Sequence, residues 1–132
     1  DYFNKIIESK DTMVAPLLLK QEIFSGIGNY IKNEVMYMCK LKAKVKTSEL
    51  DKNQINQLYN DILFVAYSNL VQMLKNTNIL KYLPPKKSTN MPPKIEVPYE
   101  YKIYGRETTL DGKKVLKIKV GGRDSYCIKE LC

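Results

Sequence analysis

The sequence predicts a mainly α fold, a helical bundle followed by a small antiparallel β-hairpin. Three observations lead there. Apolar residues recur at three- and four-residue spacing in four stretches of residues 1–75, the period of helices with one buried face. Pro84, Pro85, Pro92, Pro93 and Pro98 then gather within residues 76–100, and consecutive prolines exclude both a helix interior and a central strand. Beyond residue 100, Thr, Val, Ile and Tyr surround two glycine-containing turns, the composition of short paired strands. The predicted organisation is a helical domain over 1–75, a Pro- and Lys-rich linker over 76–100 and a hairpin unit over 101–132.

In the first stretch Phe3, Ile6 and Ile7 share a face, with Asp1 placed to cap it. The second runs from Ala15 to Gln21 with Pro16 in the first turn, where a helix tolerates it, and is closed by Gly26 and Gly28. The third begins at Asn29, repeats Ile31, Val35 and Met38, and ends near Cys39. Between Lys40 and Lys46 lysine alternates with apolar residues, which fits a short extended connector or a basic loop equally. The fourth and longest helix spans Asp51 to about Lys75, with Ile55, Leu58, Ile62, Val65, Ala66, Val71 and Met73 largely on one side. Tyr101–Arg106 and Thr108–Val120 read as strand-like, with Asp111-Gly112 as the hairpin signal. Gly121-Gly122 marks a second tight turn before Arg123, and Lys117 and Lys119 give the hairpin one basic face.

A chain of 132 residues suits one core. It has no apolar run near the roughly 20 residues that cross a bilayer, so no membrane partner is expected. It opens Asp1-Tyr2 without the basic flank and apolar run of a signal peptide, and reads as an excised piece of something longer. The formal charge of +8 is uneven: residues 1–74 hold 9 Lys and 8 acids, 75–132 hold 11 Lys, 2 Arg and 6 acids. That balance suits a polyanion partner, and a solvated lysine-rich surface explains the same count. Cys39, Cys127 and Cys132 form an odd set without framework spacing, which argues against a disulfide-stapled secreted domain and for an intracellular, reducing location.

The sharpest motif is Phe24-Ser25-Gly26-Ile27-Gly28-Asn29-Tyr30-Ile31-Lys32-Asn33-Glu34. A Gly-x-Gly turn feeding a helix offers free backbone N–H groups at a positive dipole end, which is a phosphate site. Asn29 is placed there to cap the helix and to offer its amide to a phosphate. A glycine turn that merely packs two helices would look the same.

The longer stretch Pro16 to Tyr37 resembles the helix-two-turn-helix of the formamidopyrimidine-DNA glycosylase and endonuclease VIII family, through Leu18, Leu19, Gln21, Gly26, Ile27, Gly28, Asn29 and Glu34. The resemblance implies that Asn29, with Gly28, contacts a phosphate beside the lesion. It gives Gly26 and Glu34 structural parts, Glu34 as a hydrogen-bonding rather than a catalytic residue. The bacterial branch often carries a basic residue where Ala15 stands here, a phosphate contact that is lost or taken over by Lys20. A second match, Gly122-Arg123-Asp124-Ser125-Tyr126-Cys127, resembles the family's C-terminal finger, with Tyr126 a structural residue. There an Arg reaches the lesion phosphates together with that Asn, a task suited to the planar guanidinium fork. Arg123 is one of two arginines in the chain.

Departures from the family pattern also carry weight. Zinc-bearing members have two Cys-x2-Cys pairs in this region. Here Tyr104-Gly105-Arg106 is followed by no cysteine pair, Cys127 and Cys132 are spaced Cys-x4-Cys, and histidine is absent. The resemblance is therefore to the zincless-finger branch, no zinc or other cofactor is expected, and Tyr104, Leu110, Val115, Leu116, Ile118, Val120 and Tyr126 are the candidates to pack the hairpin instead. The family's nucleophile is an N-terminal Pro followed by a catalytic Glu; Asp1-Tyr2 supplies neither, so no catalytic residue is assigned to this chain. The expected function is the DNA-binding half of a bifunctional base-excision glycosylase and AP lyase acting on oxidised bases. Its partners would be double-stranded DNA with a damaged base or abasic site, and an N-terminal catalytic domain of the same protein. The alternative is a stand-alone helix-two-turn-helix nucleic-acid binding module.

Overall fold

The computed structural model describes residues 2–24, 26–76 and 99–132, without the side chains of 71–76. The expected cap at Asp1, the packing of Val71 and Met73, and residues 77–98 of the expected linker lie outside this description.

Among the described residues are four α-helices, α1 (Tyr2–Ser9), α2 (Val14–Leu18), α3 (Asn29–Met38) and α4 (Lys52–Asn76), followed by strands β1 (Val115–Val120) and β2 (Arg123–Ile128). Helix α1 is held by Phe3 and Ile7, and the Phe3 ring lies 5.6 Å from Phe24 and 5.2 Å from Tyr59. In α4 Ile55, Leu58, Ile62 and Val65 are buried, the stripe expected from spacing. Its start is a reciprocal cap: Gln54 N–H donates to Asp51 Oδ1 at 2.8 Å, and Asp51 N–H to Gln54 Oε1 at 2.9 Å. Among the described residues no helix is long and apolar enough to cross a membrane.

The Lys40–Lys46 segment is a loop that closes on the chain before α2. Val14 N–H donates to Val45 O at 2.9 Å, Thr47 N–H to Thr12 O at 2.8 Å, and Met13 and Lys46 form a single antiparallel bridge. The loop is launched by a left-handed residue. Lys40 N–H donates to Tyr37 O and Leu41 N–H to Met36 O, the paired bonds that end a helix with one αL residue. That residue is Lys40, with φ 55°, where glycine would carry no Cβ penalty.

The hairpin differs from expectation in place and in partners. Strands β1 and β2 pair antiparallel from Val115↔Ile128 to Val120↔Arg123, so the two-residue turn is Gly121-Gly122, with φ 59° and 82°. Asp111-Gly112 makes only a small turn, in which Thr109 N–H donates to Lys113 O and a single bridge joins Thr108 to Lys114. Tyr101–Arg106 is not a strand. Its backbone donors are taken by a side chain of α3, described below, and are unavailable to a sheet. Of the expected packing residues Val120 is buried and Leu110 is exposed. Ile103, Cys127 and Ile128 are buried instead.

The hairpin is not an appendage. Val120 and Cys127 belong to the same core cluster as the helices. At its tip, a Cβ on Gly121 would lie 2.5 Å from Pro16 Cγ. At its base, Ala43 N–H donates to Leu131 O at 2.7 Å, and Cys127 is disulfide-bonded to Cys132. That bond departs from the reduced cysteines expected; β2 and the 3₁₀ turn Lys129–Leu131 bring the two Cα atoms to 5.6 Å, within bridging range.

Two substitutions test these backbone assignments. Lys40→Gly should raise stability by about 1 kcal/mol. Gly121→Ala should lower it by about 2 kcal/mol or more, through strained φ and the clash with Pro16. Urea unfolding of each variant checks both signs.

Candidate nucleic-acid interface

Helix α3 is unusual in burying three consecutive polar residues, Lys32, Asn33 and Glu34, at 1%, 2% and 0% exposure. Burial of such groups is tolerable only when their hydrogen bonds are made. Each is bonded to the chain beyond residue 98.

Glu34 gathers the segment that precedes the hairpin. One carboxylate oxygen accepts Tyr99 O–H at 2.5 Å and Lys102 N–H at 2.6 Å; the other accepts Ile103 N–H at 2.9 Å and Tyr104 N–H at 2.8 Å. Burial, and then the bond to Glu34, push the Tyr99 phenol well above its ordinary range. The segment so folded sets a chain of rings: Tyr99 to Tyr101 at 5.9 Å, Tyr101 to Tyr104 at 5.8 Å, Tyr104 to Tyr126 at 5.2 Å, with Tyr30 6.0 Å from Tyr101.

The other two polar residues, with Asn29, hold β2. Asp124 O accepts three donors: Asn29 Nδ2 at 3.0 Å, Lys32 Nζ at 3.1 Å and Asn33 Nδ2 at 3.2 Å. Lys32 Nζ also donates to Ser125 Oγ at 2.8 Å, and Tyr126 N–H donates to Asn33 Oδ1 at 2.8 Å. Positions 29, 32 and 33 share one helix face, so one turn of α3 grips three consecutive residues of β2. Arg123 is the residue before the gripped carbonyl, exposed at the end of the strand. The Asn29 amide is thereby tied to the backbone carbonyl of the residue next to Arg123.

The cap of α3 is not Asn29. Gly28 is the N-cap, extended at φ −89° and ψ 176°, and Asn29 is the first helical residue. The Asn29 side chain is turned to the hairpin, its NH2 group donating to Asp124 O. Its Oδ1 is buried without a hydrogen-bond partner among the described residues. One amide N–H remains unspent by that bond, beside the first-turn backbone N–H groups that have no intrahelical acceptor.

The remaining expected site residues fall as follows. Gly26 takes φ 90° and its N–H donates to Gln21 Oε1 at 3.2 Å, while Gln21 Nε2 donates to Ile27 O at 3.1 Å. Gln21 thus laces the turn that delivers Gly28 to α3. Tyr126 joins the ring chain through Tyr104 and is tied by its backbone to Asn33. Lys20 is exposed before that turn. Ala15 is 1% exposed in the core, and its methyl group offers a phosphate no hydrogen bond.

Lys32, Asn33 and Ser125 carry the geometry and were not singled out by the motif. For Lys32 and Asn33 the one sequence signal is a polar pair between Ile31 and Val35 on a core-facing helix. Burial, then the nearby Arg123 charge, lowers the Lys32 pKa to about 8.

The three cysteines are engaged with other side chains. Cys127 and Cys132 are bonded to each other, and Cys39, the third cysteine, donates from Sγ to Asp61 Oδ2 at 3.2 Å. Among the described residues no group of three or more His, Cys, Asp or Glu side chains is placed to hold a metal.

Comparison with known proteins follows the same lines. Residues 1–77 match the formamidopyrimidine-DNA glycosylase H2TH domain family. A formamidopyrimidine-DNA glycosylase of Arabidopsis thaliana is 29% identical over 131 residues, covering 99% of this chain and 30% of its own. One of Lactobacillus delbrueckii subsp. bulgaricus is 25% identical over 134 residues, covering 97% and 46%. Similar solved structures include Lactococcus lactis formamidopyrimidine-DNA glycosylase bound to AP-site DNA, with TM-score 0.69 at 22% identity over 97% of this chain and 44% of that one. A viral DNA glycosylase gives TM-score 0.68 at 18% identity over 99% and 46%. The chain thus spans less than half the length of these relatives.

Glu34→Gln should cost about 2–4 kcal/mol, since an NH2 group would then face backbone donors. Denaturant unfolding measures it, and a loss below about 1 kcal/mol would show that the carboxylate does not organise residues 99–104.

Proposed function

Because the chain belongs to the formamidopyrimidine-DNA glycosylase H2TH domain family, we propose that it is the DNA-binding half of a bifunctional base-excision glycosylase and AP lyase acting on oxidised bases. The observation that carries this reading is the joint anchoring of Asn29 and Arg123. One carbonyl, Asp124 O, ties the helix start to the strand that bears the arginine. An amide, a guanidinium and a helix N-terminus on one site are the donors a DNA phosphate needs. Gly28 supplies the N-cap of that helix, and Lys20 adds charge at the edge.

In this role the chain grips the phosphates around a damaged base or abasic site in double-stranded DNA. Base expulsion and Schiff-base chemistry fall to an N-terminal domain of the same protein, and the chain by itself is not catalytic. The finger works without zinc, its shape held by the core residues of the hairpin. The place of action is intracellular, where damaged DNA is found, in a nucleus or at a viral or cytoplasmic replication site.

Asn29→Ala and Arg123→Ala should each weaken binding to abasic-site duplex by about 1–3 kcal/mol, read by fluorescence anisotropy at fixed salt. The double variant should lose less than the sum, since both act on one phosphate site. Unchanged affinity in both single variants would overturn the phosphate grip. The chain alone should leave abasic duplex uncut and form no borohydride-trapped adduct, and stoichiometric zinc in purified protein would refute a zincless finger.

A further inference from the structure

Lys32 is buried among oxygens that carry no charge. Its Nζ donates to Asp124 O, to Ser125 Oγ and, at 3.5 Å, to Asn33 Oδ1. The neighbouring carboxylate of Asp124 is engaged elsewhere, with Lys119 Nζ at 2.8 Å. From β2 the ammonium faces Arg123; from β1, Lys119 and Lys117 act on the same Asp124 carboxylate. Its own helix contributes the positive N-terminal end. The connecting loop brings only Leu41 and Ala43 to the small cavity beside it. A buried cation with neutral ligands, an arginine and a positive helix end around it has only the Asp124 carboxylate as a nearby anion, and that charge is shared with Lys119.

We infer that Lys32 is a proton-linked positioning residue: its ammonium fixes the backbone that presents Arg123, and the DNA phosphate gripped there completes its charge. The inference rests on the Asn29–Arg123 grip proposed above. Lys32 itself, at 1% exposure, does not touch DNA. Its effect on binding is electrostatic, through a short stretch of low-dielectric protein, and geometric, through Asp124 and Ser125.

The two consequences have opposite signs. In the free protein Lys32 loses its proton near pH 8, well below an unfolded lysine at 10.5. Between those values the unfolded chain binds more protons, so the Lys32 contribution to folding stability improves as pH rises. A phosphate at the grip favours the ammonium, so the complex binds more protons than the free protein. DNA affinity therefore falls as pH rises through about 8, by at most about tenfold per pH unit for one linked proton.

The experiment uses the full chain and a duplex with a tetrahydrofuran abasic analogue, at constant ionic strength, across pH 6.5 to about 9.5. Anisotropy gives the affinity profile, and calorimetry near pH 8.5 in buffers of different ionisation heat counts protons taken up on binding. The wild type should take up a sizeable fraction of one proton and lose affinity above about pH 8. Lys32→Arg, which stays charged, should bind with a flat profile. Lys32→Met, which matches the stem without charge, should also be flat and bind about tenfold weaker near neutral pH. The difference between wild type and Lys32→Met isolates Lys32 from the terminal amine and other groups. Equal proton uptake in wild type and Lys32→Met would overturn the inference, and so would parallel pH profiles. If Asn29→Ala still weakens binding in that case, the grip stands and only the proton linkage fails. If neither Asn29→Ala nor Arg123→Ala weakens binding, the grip fails and the inference with it.

Discussion

The approach to the hairpin, residues 99–104, takes its position from one buried carboxylate. Glu34 satisfies three backbone N–H groups and a phenol that would otherwise be stranded under the helix. A carboxylate is suited to this because it is all acceptor, with two oxygens that each serve two donors. Burying it is costly, and the cost is met only while all four donors are in place. The segment 99–104 is therefore curled around an anion rather than laid into a sheet. Its curl delivers the tyrosines that meet Tyr30 and Tyr126, and it fixes where β1 can begin.

Helix α3 works as a strut with three loaded sides. Ile31 and Val35 face the core, Glu34 faces the incoming segment, and Asn29, Lys32 and Asn33 face β2. Its helical propensity is ordinary, and a short helix of this kind owes its stability to tertiary contacts. The first turn of α3 and the strand bearing Arg123 consequently belong to one hydrogen-bonded unit. Disturbing either side leaves buried polar groups unpaired, which is worth more than the bond itself.

The helices were legible because their signal is periodic and local. Ile55, Leu58, Ile62 and Val65 repeat at helical spacing, and Pro16 stands in a first turn. The hairpin was legible in kind but not in place. Asp111-Gly112 has the stronger local turn chemistry, yet a turn becomes a hairpin only if both flanks are free to pair, and Glu34 has already taken the donors of one flank. For Asn29, the helix-start position was plain while its partner was not, since a bond to Asp124 spans 95 positions and leaves no trace in local pattern. Lys32 was invisible for a different reason: a lysine near a helix start reads as solvated surface, and only the arrival of β2 buries it. The Cys127–Cys132 bond likewise depends on the 3₁₀ turn that brings the second cysteine back.

The hairpin is mounted at three points: its tip against Pro16, its middle on α3, its base through Leu131 and Ala43. A finger held this way is a gauge of fixed opening. Under the proposed function, the adjustment needed for phosphates to meet both Asn29 and Arg123 would be made by the duplex, not by the protein. The ease with which a stretch of DNA bends would then enter recognition. Weakly stacked or abasic steps would fit the gauge at lower cost than intact ones, so that part of the discrimination for damage would be mechanical, exerted before any base is read.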